Sequence, residues 1–269
     1  MAVSLARSGY RISEIISRQD RKSLAAARGH ARKVGARTSQ TRSALLEADV
    51  IWFCVPDSKI TEAAREYSGR EWNGKIVFHS SGVLTSDALQ SLRVRGASVA
   101  SVHPLMTFVR GSVPDLSGVT FAMEGNPRAV RVARRVVRDL GGEMLLLRKP
   151  DKTAYHAFAT MICPLLVALL ASAEEAAVLA GISREQARRR MLPIIAHTLR
   201  NYSQLGPKKA FTGPLVRGDA ETISLHLQTL AALPAAREAY VALAKAAVEY
   251  LPTKHRSKLV ALVESQSTS

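Results

Sequence analysis

The sequence predicts a parallel α/β sheet covered by helices, followed by an all-α domain. Two observations carry this. Short apolar runs alternate with amphipathic stretches through the first half, and from Lys152 onward the strand signal stops and long helical patterns take over. With 269 residues, the chain is long enough for two domains with separate cores. We place them at 1–150 and 151–269.

In chain order, MAVSLARSGY reads as the tail of a helix. The strands are RISEIIS (11–17), DVIWFCV (49–55), KIVFH (75–79), ASVASV (97–102), VTFAM (119–123) and EMLLL (143–147). DVIWFCV is the clearest, because a strand covered on both faces need not alternate with polar residues. Helices fall between them near 20–33, 58–67, 85–94 and 127–140. In the last, Arg128, Arg131, Arg134, Arg135 and Arg138 form one stripe and valines the opposite one, so the arginines face water. Segments 151–180, 184–204, 219–231, 235–250 and 254–264 read as helices, punctuated by Gly181, Gly206, Pro207, Gly213, Pro214, Pro234 and Pro252.

Composition narrows the class. A chain with 47% hydrophobic and 22% charged residues is neither disordered nor fibrous. The formal charge of +16 is densest over 21–42, which has Arg21, Lys22, Arg28, Arg32, Lys33, Arg37 and Arg42 and no acid. Such a block attracts anions without naming one. Cys54 and Cys163 lie far apart in apolar runs, as inert buried thiols of a reduced cytoplasmic protein do. No secretory leader opens the chain. Residues 153–173 lack any charged side chain and match a bilayer in length. His156, Thr160, Pro164 and Ser172 within them, and the charges that flank them, point instead to a helix buried in a helical domain or a subunit interface, so no membrane partner is expected.

Ligands of nucleotide-binding α/β sheets sit at the carboxyl ends of strands, and four tips here suit that role. At Ser17-Arg18, a chain preferring NAD would carry an acid for the ribose hydroxyls. Arg18, with Arg21 and Lys22 behind it, suits a 2′-phosphate instead, because a guanidinium makes paired charge-assisted bonds. At Val55-Pro56-Asp57, proline ends the strand and Asp57 is placed to cap the next helix. His79-Ser80-Ser81-Gly82 lets a ligand approach the backbone closely. His103, before Pro104, is a candidate proton donor.

In the second domain, Lys152 and His156 are four residues apart and share a helix face. A desolvated lysine there can handle a proton during hydride transfer, with the histidine positioning the substrate oxygen. Further on, TGPLVRGD offers Asp219 as an N-cap, and Arg217 without an evident local partner. Arg217 and His226 are candidates for a substrate anion or an inter-domain contact.

Taken together, DVIWFCVPD, HSSG, SVHPL, KTAYHAFA and TGPLVRGD with His226 resemble a bacterial family that pairs a Rossmann-like NADP-binding domain with a helical domain of unknown function. That family is related to pyrroline-5-carboxylate reductase and the 6-phosphogluconate dehydrogenase superfamily. The resemblance spans nearly the whole chain. It implies a Rossmann fold, NADP (NADPH) as cofactor, a homodimer through the C-terminal helices and an oxidoreductase activity of unassigned substrate. Lys152 falls where relatives carry a catalytic lysine; His156 and Pro164 stand where asparagine is usual. The pattern also departs at the amino end, where the first strand and its GxGxxG turn are absent. In the order 3-2-1-4-5-6 that strand lies between RISEIIS and DVIWFCV, so its loss leaves facing backbone groups unpaired or forces the sheet to close. We expect the natural start to lie upstream of Met1.

The resulting expectation is an NADP-dependent oxidoreductase acting on a small metabolite in the cleft between the domains. Ser17, Arg18 and Lys22 hold the 2′-phosphate end, Val55, Pro56, Ser80 and Ser81 line the nicotinamide side, and Lys152, His156 and His103 carry the chemistry; no metal site is expected. The rival is a catalytically silent nucleotide-sensing or interaction module. A nucleic-acid binder using 21–42 is disfavoured by the absence of aromatic residues there.

Overall fold

The computed structural model describes residues 1–265 apart from Gln19 and Arg110. It divides into two compact units, Met1–Met161 and the chain from Ile162 onward. The division falls later than the expected 150/151, because the first turns of the helix at Lys152 bury Lys152 and Tyr155 within the first unit.

The first unit runs α1 (Ala2–Arg7), β1 (Glu14–Ser17), α2 (Arg21–Val34), β2 (Arg37–Gln40), β3 (Val50–Phe53), α3 (Asp57–Glu66), β4 (Ile76–His79), α4 (Gln90–Arg93), β5 (Ser98–Pro104), β6 (Thr120–Gly125), α5 (Pro127–Asp139), β7 (Glu143–Leu146) and α6 (Lys152–Ile162). The sheet is in two pieces. β1 and β2 form a parallel pair, and β3-β4-β5-β6-β7 form a five-stranded sheet. The break falls between RISEIIS and DVIWFCV. β3 is consequently an edge, half-buried for most of its length, and the fully buried strand is β4.

Alternation along each strand sends side chains to two cores. Ile76, Phe78, Ala100 and Val102 pack with Phe121, Met123 and the Ala129–Val137 face of α5. Val77 and Val99 pack on the other side with Ile60, Trp72, Leu89 and Leu92. The arginine stripe of α5 is exposed, as predicted. One pair departs from the parallel expectation, since β5 and β6 run antiparallel. Among the described residues no helix lies between them, and a parallel return needs a crossover of that kind.

Strand β2 escaped the sequence reading because RTSQ carries no apolar residue. It is held by β1 and by Glu14, whose carboxylate accepts from Ser39 Oγ at 2.5 Å and from the Leu45 and Leu46 amides at 3.2 Å. Burial raises the Glu14 pKa, but these donors outweigh it and hold the carboxyl below its ordinary range.

The second unit comprises α7 (Pro164–Leu179), α8 (Arg184–Leu205), α9 (Pro207–Ala210), α10 (Pro214–Arg217), α11 (Ala220–Thr229), α12 (Pro234–Tyr250) and α13 (Arg256–Ser265). Ile223, Leu227, Val241, Val248 and Leu259 form its core. Two bidentate pairs, Arg188 on Glu174 and Arg184 on Glu175, join α7 to α8. The predicted single helix 151–180 is broken at Cys163, because Pro164 brings no N–H to a continuing helix and takes the first-turn position of a new one. Lys149–Leu179 is long and apolar enough to cross a membrane by length and composition alone. Cys163 is half-buried and Cys54 exposed, which corrects the expectation of two buried thiols; Cys54 lies between Phe53 and Val55, which pack on the α3-side core, so alternation puts it on the other face of the edge strand β3.

Candidate active site

The turn after β4 is the centre of a buried polar cluster in the first unit. The Ser81 amide donates to His79 Nδ1 at 3.1 Å, so the imidazole proton sits on Nε2 and is donated to Thr85 O at 3.0 Å. His79 is therefore a neutral structural residue, and burial lowers its pKa to about 4. Ser81 Oγ donates to Asp57 Oδ2 at 2.6 Å and accepts from the Leu84 amide. Asp57 was expected to cap α3. It is instead the first helical residue, and its carboxylate is engaged by Ser81.

The Ser81 carbonyl has two buried donors, Lys152 Nζ and Ser101 Oγ, both at 3.1 Å. Lys152 also donates to Ser101 Oγ at 2.6 Å and is 1% exposed. Burial lowers its pKa to about 8, against the pull of Glu124 and Asp57 in the opposite direction. Glu124, itself buried, takes the amide and hydroxyl of Ser86 at 2.6 and 2.9 Å.

Above this layer, His103 Nδ1 lies 3.0 Å from Tyr155 OH, and its ring centroid is 6.1 Å from that of His156. Burial, then Lys152 and His156, bring the His103 pKa down to about 4, so it is neutral at pH 7. Burial pushes Tyr155 up to about 12, which keeps its phenol protonated. Both histidines are half-buried. Gly82 makes their approach possible, because a Cβ there would overlap the His156 ring and meet His103 Nε2 at 3.0 Å. The cluster can accept and return protons and hydrogen-bond a ligand oxygen.

Other predicted residues are more scattered. Arg18 is exposed beyond β1, reaches Asp20 at 3.6 Å, and lines a pocket of about 550 Å³ with Thr41, Arg42, Glu66, Tyr67 and Arg70. Lys22 is exposed on α2 and is not part of that lining. Ser17 is buried, with its hydroxyl 3.5 Å from Ser39 O, so its side chain turns to the strand pair. Ser80 Oγ accepts from Trp52 Nε1 at 2.8 Å. Val55 packs on the α3-side core, and Pro56 is exposed at the α3 N-cap.

In the second unit, Asp219 caps α11 as predicted, accepting from the Thr222 amide. Arg217 has the local partner the sequence did not reveal, Asp219 at 3.9 Å, and His226 Nδ1 lies 3.0 Å from Tyr240 OH. The sequence reading missed Ser101 and Tyr155 as members of this cluster. Ser101 and Tyr155 belong to the quoted SVHPL and KTAYHAFA stretches, but only the packing of α6 on β5 gives them a role.

Residues 119–247 match the model of a family described as a domain of unknown function, DUF2520. No curated protein shows a significant match. Among solved structures, a candidate NADP oxidoreductase from Bacteroides fragilis is 23% identical, with 91% of each chain covered and a TM-score of 0.77. A protein from Thermotoga maritima is 20% identical over 98% of this chain and 95% of its own, with a TM-score of 0.71. An imine reductase from Myxococcus stipitatus, solved with NADP+, is 18% identical over 92% and 90%, with a TM-score of 0.59. The class is thus settled at the level of fold: a Rossmann-like α/β unit followed by a helical one. The DUF2520 match is confined to residues 119–247, which run from the first unit into the second.

Proposed function

We propose that the chain is an NADP-dependent oxidoreductase that reduces or oxidises a small metabolite. The observation that carries this is the convergence of Lys152, His103, Tyr155 and His156 over Gly82, at the carboxyl ends of β4 and β5. Structural neighbours described as NADP oxidoreductases, or solved with NADP+, support the same reading. The residues present also fit the phosphate end of the coenzyme, because three guanidiniums, those of Arg18, Arg42 and Arg70, line one pocket. When bound, the coenzyme supplies or accepts the hydride.

In this reading Arg18 and Lys22 hold the 2′-phosphate, and Pro56 and Ser81 line the nicotinamide side. Lys152 handles the proton, and His103 and His156 hold the substrate oxygen. We further infer a homodimer through the apolar faces that α7 and α8 leave exposed, among them Leu165, Leu192, Ile194 and Leu199. Titration with NADPH and NADH, followed by turnover against small carbonyl and imine compounds, tests the function. Arg18→Glu is expected to weaken NADPH binding at least tenfold more than NADH binding, roughly the 1.4 kcal/mol of one charge-assisted bond. Absence of binding by either coenzyme overturns the reading.

One observation favours a second reading. Lys152 is almost wholly buried and donates to two protein acceptors, as does a lysine that merely fixes a turn. In that case the chain is a catalytically silent nucleotide-sensing module, which binds NADPH tightly without turnover.

A further inference from the structure

Resting on the coenzyme reading above, we propose that Arg42 is a second phosphate-binding residue, opposing Arg18 across the pocket at the rim of the β1–β2 pair. Its ligand is the phosphate monoester on the adenosine ribose.

The parallel register pairs Ser17 with Gln40, so Arg18 and Arg42 leave neighbouring strands on the same edge, where strands lie ~4.8 Å apart. Thr41 Oγ1 donates to Ser17 O at 3.3 Å and ties the two tips together. Both arginines then line one pocket of about 550 Å³, with Arg70 as a third guanidinium and, among the described lining residues, Glu66 as the one carboxylate. Such a wall attracts a dianion.

The three guanidiniums are not equally available. Arg70 is committed, since it donates to Ala44 O and lies 5.7 Å over the Tyr67 ring. Arg18 is exposed, with Asp20 at 3.6 Å and the Glu62 carboxylate near enough to feel its charge, but it makes no hydrogen bond among the described residues. Arg42 is exposed on the turn after β2, and among the described residues it has neither an ion pair nor a hydrogen bond. Two exposed planar forks on adjacent strand ends, neither held by a hydrogen bond among the described residues, match the several acceptor oxygens of a phosphate monoester, which a single carboxylate ligand would leave half used. The feature that selects the phosphorylated ribose is therefore shared between two strands, so Arg42 is a specificity-determining residue rather than part of a diffuse basic surface.

Calorimetric titration of the full chain with adenosine 2′,5′-bisphosphate and with adenosine 5′-monophosphate tests this, using Arg42→Ala, Arg42→Lys and Arg18→Ala. Arg42→Ala is expected to weaken the bisphosphate about tenfold and leave the monophosphate within about twofold, with the lysine variant between the two. Thermal melts of the variants should match the parent, because Arg42 is exposed and makes no contact that its loss would break. If Arg18→Ala loses the bisphosphate while Arg42→Ala does not, the assignment of Arg42 is overturned and the coenzyme reading stands. If Arg42→Ala weakens both nucleotides equally, its role in selecting the phosphate is overturned. A parent chain that does not distinguish the two nucleotides overturns the coenzyme reading itself.

Discussion

Lys152 is the residue on which the two functional readings part. Its ammonium is present below a pKa of about 8 and is lost above it. If Lys152 supplies the proton in the reducing direction, kcat falls as pH rises through about 8, by tenfold for each further pH unit. Lys152→Met should lower kcat and remove that limb from the pH profile. A limb that survives in the variant shows that another group donates. His103 adds no limb near its ordinary pKa, because burial brings it down to about 4. The sequence exposed the i, i+4 pairing of Lys152 and His156. It could not show that Gly82, from a distant turn, is what lets the His156 and His103 rings approach, since close contact across 74 residues leaves no local mark.

At the scale of elements, the β1–β2 pair is the instructive case. RISEIIS was legible from its apolar residues, whereas RTSQ carries no such pattern and is a strand only because Glu14 and the parallel ladder hold it. Glu14→Gln keeps the shape but removes the charge that accepts the Ser39 hydroxyl and two amides. We expect it to cost about 1–3 kcal/mol, measured by urea denaturation at pH 7. The folded pKa of Glu14 lies below its unfolded value. Its contribution is therefore present above the unfolded pKa of about 4.3 and fades as pH falls through the folded one, so parent and variant should converge in acid. No change at pH 7 would show that the carboxylate is dispensable. The same scale explains the broken helix at Cys163. Periodicity ran straight through it, and only the missing N–H of Pro164 divides α6 from α7.

For the whole molecule, the open question is what covers the apolar side chains of the second unit. Leu165, Leu192, Ile194 and Leu199 are each more than half exposed, and surfaces of that kind mark interaction sites. Sedimentation of the parent chain should give a dimer, and Leu192→Glu with Ile194→Glu should give a folded monomer with unchanged helix content. A monomeric parent chain removes the inferred homodimer.

Most of the order of elements, the change from α/β to all-α and the wet arginine face of α5 were written in the sequence, because periodicity and breakers are local properties of a chain. Which of those residues meet was not. The antiparallel return of β6, the separation of β1 from β3, the burial of Lys152 beneath Ser81 and the pairing of Arg18 with Arg42 at one rim all depend on contacts between segments far apart in the chain. Such contacts are set by how strand edges and helix faces find partners in space, and no window of neighbouring residues contains them; for β1 and β3 the sequence marked the gap, and the packing decided that it stays open.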